Sequence, residues 1–247
     1  MTAPARTRSV PGSGRTRPPH RRWPYVLAFS LLLLLFGGAG YVLYRTPVLG
    51  VQRIDVLAQN GQVTDEVAAA VKSAVAVRDG TPLIRLDLAA VRNEALTVPQ
   101  VAAASVSRSW PNTLQIRVTE RAPAALTSAN GALWLLDRSG FAYLKVPGGQ
   151  VLPGLLTIEL ATPGPNDPAT VAALAVVAGL NSASKSIVAS VSARSAYSVV
   201  LNLRDGRSVL WGSPEDSAKK LQILSAVLAQ TGRTYDISDP DYVTVSP

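Results

Sequence analysis

Two stretches have the residue types and spacing of a serine-based acyl-transfer centre. Ser182-Ala183-Ser184-Lys185 and Ser217-Ala218-Lys219-Lys220 both fit Ser-x-x-Lys, which in penicillin-binding enzymes supplies a nucleophile and its base. The pattern occurs twice without a Lys-Thr-Gly or Ser-Asp-Asn companion, so chance accounts for both. The 16 carboxylates form no metal loop. Asp65-Glu66 and Glu215-Asp216 read as helix starts, and Asp239 and Asp241 as turn residues. His20 is the single histidine and there is no cysteine, which excludes a His-based triad, a His-rich metal site and thiol chemistry beyond the N-terminal tail. No Walker A loop and no Gly-x-Gly-x-x-Gly occurs. We therefore expect no enzyme: no catalytic residue, no metal and no cofactor.

One stretch organises the remaining elements. Tyr25 to Tyr44 has twenty residues without a charge. As a helix it spans about 30 Å, the thickness of a bilayer's hydrocarbon core. Trp23, Tyr25, Tyr41 and Tyr44 lie near its ends, where amphipathic rings favour the interface. Leu31 to Leu35 leave no polar face, which argues against a buried core helix. The run is too long for a signal-peptide core, and no Ala-x-Ala site follows it before Arg45. The expectation is an uncleaved signal anchor. Residues 1–24 carry Arg6, Arg8, Arg15, Arg17, Arg21 and Arg22 and no acid, and have almost nothing to bury. They read as a disordered basic tail that holds the N-terminus in the cytoplasm and residues 45–247 outside. Six of the 24 basic residues are in that tail. The other 18 face 16 acidic ones, so the net charge of +8 is mostly a topology signal and not a nucleic-acid footprint.

Beyond the anchor, Val51 to Ala58 alternates as a strand. Thr64 caps a helix whose Val67, Ala70, Val71 and Ala74 share one face. Asp87 caps a second helix with Leu88, Val91 and Ala95 inward. Val101–Ser109 and Leu114–Glu120 are strands joined by the turn Trp110-Pro111-Asn112-Thr113. Trp110 shares the parity of Ala104 and Val106 and is placed to cover the hairpin's end. Pro123 is expected to mark the exit from the sheet.

This β-α-α-β-β order after a single anchor resembles a POTRA domain. The run Val106-x-Arg108-x-Trp110-Pro111-Asn112-Thr113-Leu114 to Val118-x-Glu120-Arg121-x-Pro123 resembles the signature of the bacterial cell-division family FtsQ/DivIB. Arg108, Trp110, Pro111, Asn112, Glu120 and Arg121 are its structural motif.

Short strands follow: Leu133–Asp137 and Phe141–Leu144, then Ile187–Val191, Tyr197–Leu203 and Ser208–Trp211. Residues 147–168, with five Pro and four Gly, read as loop, and Ala169–Leu180 as an apolar helix. Ser213–Asp216 reads as a capping box with Pro214 at the first helical position. Leu221, Leu224, Val227 and Leu228 are the buried stripe of the helix that follows. Leu201-x-Leu203-x-Asp205-Gly206, Gly212, Lys219, Lys220 and Asp236-Ile237-Ser238 resemble the C-terminal domain of the same family. The expected class is α+β: a tail over 1–24, a transmembrane helix over 25–44, a POTRA domain over 45–121 and a mixed β-sheet domain with flanking helices over 122–247.

The resemblance implies a non-enzymatic scaffold of the divisome, integral to the membrane, at the septum. Its implied partners are single-pass coiled-coil proteins of the FtsB and FtsL type. The alternative is a POTRA-type secretion or outer-membrane assembly factor, though neither repeated POTRA units nor a membrane β-barrel is visible. The last strand is expected over Tyr242–Val245, at a sheet edge able to accept a partner strand. Candidate partner-binding residues are Lys219, Lys220, Tyr235, Tyr242, Val243, Thr244 and Val245.

Overall fold

The computed structural model describes residues 23–45, 50–129, 131–150 and 152–247. The Arg-rich tail lies outside these residues, apart from Trp23 and Pro24. The first element is a 23-residue helix, α1, Trp23–Arg45. It turns large apolar side chains outward, with Phe29, Leu31 to Leu35 and Phe36 all more than half exposed. Among the described residues no helix is long and apolar enough to cross a membrane.

The next elements are β1, Arg53–Ala58; α2, Asp65–Ala74; α3, Leu88–Ala95; β2, Val101–Ser109; and β3, Thr113–Glu120. They form a three-stranded sheet of order β1-β3-β2, with β1 parallel and β2 antiparallel to β3. Both expected caps are present. Thr64 Oγ1 accepts from the Val67 N–H, and the Asp87 carboxylate accepts from the N–H groups of Ala89 and Ala90. Val67 and Val71 of α2, Val91 and Ala95 of α3, and Leu114, Ile116 and Val118 of β3 make one buried cluster. The alternation legible in β3 is thus its inward face.

Twelve further elements follow: β4, Pro123–Ala129; β5, Ala132–Asp137; β6, Ala142–Lys145; β7, Thr157–Leu160; α4, Pro168–Gly179; α5, Ser182–Ile187; β8, Val188–Ala193; β9, Val199–Leu203; β10, Ser208–Gly212; α6, Ser217–Leu228; β11, Thr234–Asp236; and β12, Thr244–Ser246. Their strands form a nine-stranded mixed sheet of order β12-β11-β10-β9-β8-β7-β4-β5-β6. The apolar helix α4 packs across β4, β7, β8 and β9 and meets α6. Its side chains join Val191, Leu201, Trp211 and Tyr235 in the larger core.

Several expectations need correction. The chain leaves the first sheet after Glu120, just before Pro123 as expected, but Pro123 is not outside strand structure. It opens β4, which is flanked by β7 and β5, because a first residue need not donate to the ladder. The Pro/Gly-rich stretch contains β7, paired in parallel with β4 and β8. The strand expected over Ile187–Val191 is β8 and starts one residue later, because Ile187 closes the helix α5, capped by Asn181. Ser213–Asp216 is not a capping box. α6 starts at Ser217 behind Asp216, which sits at φ 52° with no side-chain cap bond. Trp110 does not cover the hairpin: it is 54 % exposed. The last strand is Thr244–Ser246, so Tyr242 and Val243 precede it.

Candidate partner-binding site

The Ser-x-x-Lys pairs separate once their surroundings are known. Ser217 Oγ donates to the Pro214 carbonyl at 2.7 Å and accepts from Trp211 Nε1 at 3.1 Å. Lys220 Nζ donates to the carbonyls of Trp211 and Ser213, at 2.9 and 3.0 Å. Both side chains thereby tie α6 to the end of β10. Burial lowers the Lys220 pKa, opposed by the nearby carboxylates of Asp216, Glu215, Asp239 and Asp236. Ser182 and Lys185 line an open cleft of about 470 Å³ with Arg204, Leu155 and Leu156, and no hydrogen bond joins the two among the described residues. No group of three or more metal-ligating side chains stands together among the described residues.

Lys219, Tyr242 and the last strand lie toward the outer edge of the large sheet. β12 is its last strand and pairs antiparallel with β11, Tyr235 opposite Val245 and Asp236 opposite Thr244. Its other side has no strand neighbour among the described residues. Asp239-Pro240-Asp241 makes the turn before it: Asp239 Oδ1 accepts from the Asp241 N–H, and the Asp239 carbonyl from the Tyr242 N–H. That turn directs Tyr242 outward, 79 % exposed. Lys219 Nζ lies 3.5 Å from both carboxylate oxygens of Asp241, next to Tyr242. Lys219, Tyr242 and the β12 edge therefore share one surface.

Two candidates do not belong to that surface. Lys220 is 1 % exposed, so its ammonium cannot meet a partner. The one-residue offset from Lys219 turns its side chain about 100° around the helix, toward the core. Tyr235 is fully buried. Its hydroxyl lies 2.8 Å from the carbonyls of Gln230 and Gly232 and accepts from Arg207. It ties the segment that follows α6 to β11, a packing role in place of the expected partner-binding one. Asp241 and Gly232 were not singled out as candidates. A Cβ on Gly232 would stand 2.3 Å from Val245 Cγ1 and 3.0 Å from the Ser246 carbonyl oxygen. The bare glycine is what lets β12 close over the end of α6.

Four of the motif residues around the hairpin, Arg108, Asn112, Glu120 and Arg121, bond to other parts of the fold. Arg108 donates to the carbonyls of Leu83 and Leu86, at 2.6 and 2.8 Å. The Asn112 side-chain amide donates to Gln52 Oε1 at 2.6 Å. Glu120 accepts from the Thr64 N–H at 3.0 Å. Arg121 donates to the Pro99 carbonyl, pairs with Asp137 and lies over the Phe141 ring. It thereby clips β2's entry to the β5–β6 turn. Burial raises the Asp137 pKa, but hydrogen bonds from the Ser139 hydroxyl, the Phe141 N–H, Arg121 and the Ser139 N–H outweigh it, and the net shift is downward.

A β-α-α-β-β unit with this arginine-braced hairpin, followed by a mixed sheet whose last strand has one strand neighbour among the described residues, defines a POTRA-containing protein with a second, larger sheet unit. Residues 51–121 match the family described as "POTRA domain, FtsQ-type", and residues 124–244 match "Cell division protein FtsQ/DivIB, C-terminal". The chain belongs to the FtsQ family of bacterial cell-division proteins. The protein named Cell division protein FtsQ in Mycobacteroides abscessus is 37% identical over 235 residues, 95% of this chain and 73% of that protein. Its namesake in Mycobacterium tuberculosis is 36% identical over 220 residues, 89% of this chain and 68% of that protein. The namesake in Streptomyces bingchenggensis is 32% identical over 92% of this chain and 86% of that protein. Among solved structures, a two-POTRA fragment of Omp85 from Anabaena matches 32% of this chain and 53% of its own at a TM-score of 0.28, too low to carry weight.

Proposed function

We propose that the chain is a single-pass, non-enzymatic scaffold of the division machinery. Its N-terminus lies in the cytoplasm, and residues from Arg45 onward lie outside the membrane. Support for the anchor comes from α1. Twenty-three residues rise about 34 Å, their apolar side chains are exposed, and the basic tail precedes them. In this reading 45–121 and 122–247 act as separate domains, the second carrying the partner site.

The observation that carries the proposal is the outer side of β12, which has no strand neighbour among the described residues, beside an outward Tyr242 and Lys219. An edge strand offers unpaired N–H and C=O groups to an added strand, and neighbouring side chains select it. Tyr242 supplies buried area and a hydroxyl, as binding hot spots do. Lys219, held by an exposed pair that is worth little, is free to exchange Asp241 for a partner carboxylate. The resemblance to FtsQ supports single-pass coiled-coil partners of the FtsB and FtsL type. Tyr242→Ala tests the reading directly, by titration of the purified chain with an FtsB-type peptide beside a thermal melt. Lost binding with an unchanged melt supports the site. Unchanged binding removes Tyr242 from it.

A further inference from the structure

The chain leaves α1 at Arg45 and joins the three-stranded sheet at Gly50. Residues 46–49 and the bonds flanking them cover about 18 Å even when fully extended. A domain of 70 residues is roughly 30 Å across, wider than this tether is long. One end of the sheet is therefore held against whatever surface α1 emerges from.

Hydrogen bonds identify that end. Gly50 bridges Pro82, the Val51 N–H donates to the Thr81 carbonyl at 2.9 Å, and the Gly80 N–H donates to the Val51 carbonyl at 2.9 Å. The Gln52 N–H donates to the Asn112 carbonyl at 2.9 Å, and Arg53 lies opposite Thr113 where the parallel strands begin. The loop carrying Leu83–Arg85 and the β2–β3 turn thus stand where the chain enters. The opposite end, with Ala58 beside Val118 and Val101 beside Glu120, leads on to β4.

Two large apolar side chains are bare at the entry end. Trp110 is 54 % exposed and Ile84 58 % exposed. Arg108 binds the carbonyls of Leu83 and Leu86, which flank Ile84, fixing its turn beside β2, the strand that leads into Trp110. The Trp110 indole N–H has no partner among the described residues. A ring with an apolar body and an unused N–H suits the boundary between headgroups and acyl chains.

We propose that Trp110 and Ile84 seat this end of the sheet in the headgroup boundary of the bilayer that α1 spans. The proposal rests on the reading of α1 as a membrane anchor. The occupant is a lipid surface: the short tether holds this end at the bilayer and leaves little depth for a folded partner. The contact would fix the domain's orientation and so aim the opposite end, and β12 beyond it, away from the membrane.

The absence of cysteine permits a direct test. Full-length chains carrying Ile84→Cys, Asn60→Cys or Leu33→Cys are labelled with an environment-sensitive fluorophore. They are reconstituted in vesicles of phosphatidylethanolamine and phosphatidylglycerol, with nitroxide groups placed either near the headgroup or deep in the acyl chain. The expected result is loss of most fluorescence at position 84 with the shallow nitroxide. Position 60, at the far end, should stay bright and be quenched by aqueous iodide. Leu33→Cys reports the anchor separately through the deep nitroxide. If position 33 is quenched and position 84 is not, the anchor stands and this inference is overturned. A label at 84 shielded from iodide yet untouched by either nitroxide points to a protein contact and also overturns it. An unquenched label at 33 removes the anchor and this inference with it.

Discussion

The ammonium of Lys220 lies 2.9 Å from the main-chain carbonyl oxygen of Trp211, inside the core, while Lys219 beside it faces solvent. Two adjacent lysines thus have opposite duties. Lys220→Ala removes charge-assisted bonds to two carbonyls and orphans both. We expect it to lower stability by about 2–4 kcal/mol. Lys219→Ala loses only an exposed pair and should change stability by less than about 1 kcal/mol. Urea unfolding of the two variants, followed by tryptophan fluorescence, separates them. Equal midpoints would remove Lys220 from the core.

The Arg121–Asp137 pair gives a pH-dependent expectation. The native Asp137 pKa is held below its ordinary value of 3.8. A carboxyl shifted down in the fold contributes stability that is present above its unfolded pKa and is lost as pH falls through the native one. Asp137→Asn should therefore cost about 1–3 kcal/mol near neutrality. The difference from the parent should shrink on acidification below about pH 4. Unfolding curves at a series of pH values check this. A difference that stays constant into acid would remove the ionised pair from the account.

Much of the first sheet was legible because its devices are local. Thr64 and Asp87 announce their helices, and Leu114, Ile116 and Val118 alternate into one core. The second sheet was less legible because its strands pair across long separations. β7 is four residues in a Pro/Gly-rich stretch and becomes a strand through parallel neighbours at β4 and β8. The last strand is expected at a sheet edge, and β12 has one strand neighbour among the described residues. The burial of Lys220 and Tyr235 was not legible, because it depends on carbonyls at Trp211, Ser213, Gln230 and Gly232 that only the fold brings near. Lysine is rarely buried without such partners, so composition alone favours the wrong side.

Trp110 reverses the expectation for a hairpin tryptophan. A buried Trp→Ala change costs about 3–5 kcal/mol. Trp110 is exposed, so Trp110→Ala should shift stability by only about 0.5 kcal/mol. Differential scanning calorimetry of the detergent-solubilised chain reads this. A large loss would mean that the ring packs against the fold after all.

Gly232 offers the sharpest test of the sheet edge, because it acts without touching any partner. An added methyl would collide with Val245 Cγ1 at 2.3 Å and crowd the Ser246 carbonyl oxygen at 3.0 Å. Valine has few alternative rotamers, so the strand itself must yield. Among the described residues β11 is the one strand that pairs with β12, so displacing β12 should leave the ladders of β8 and β9 in place. Gly232→Ala should therefore cost about 1–3 kcal/mol, within the range for overpacking. Affinity for an FtsB-type peptide should fall by at least about tenfold, since the added strand would lose its template. Backbone hydrogen exchange should rise at Thr244–Ser246 and stay unchanged at β8 and β9. If exchange rises as expected but affinity is retained, the partner does not use the β12 edge, and Tyr242 and Lys219 must be tested as a separate surface.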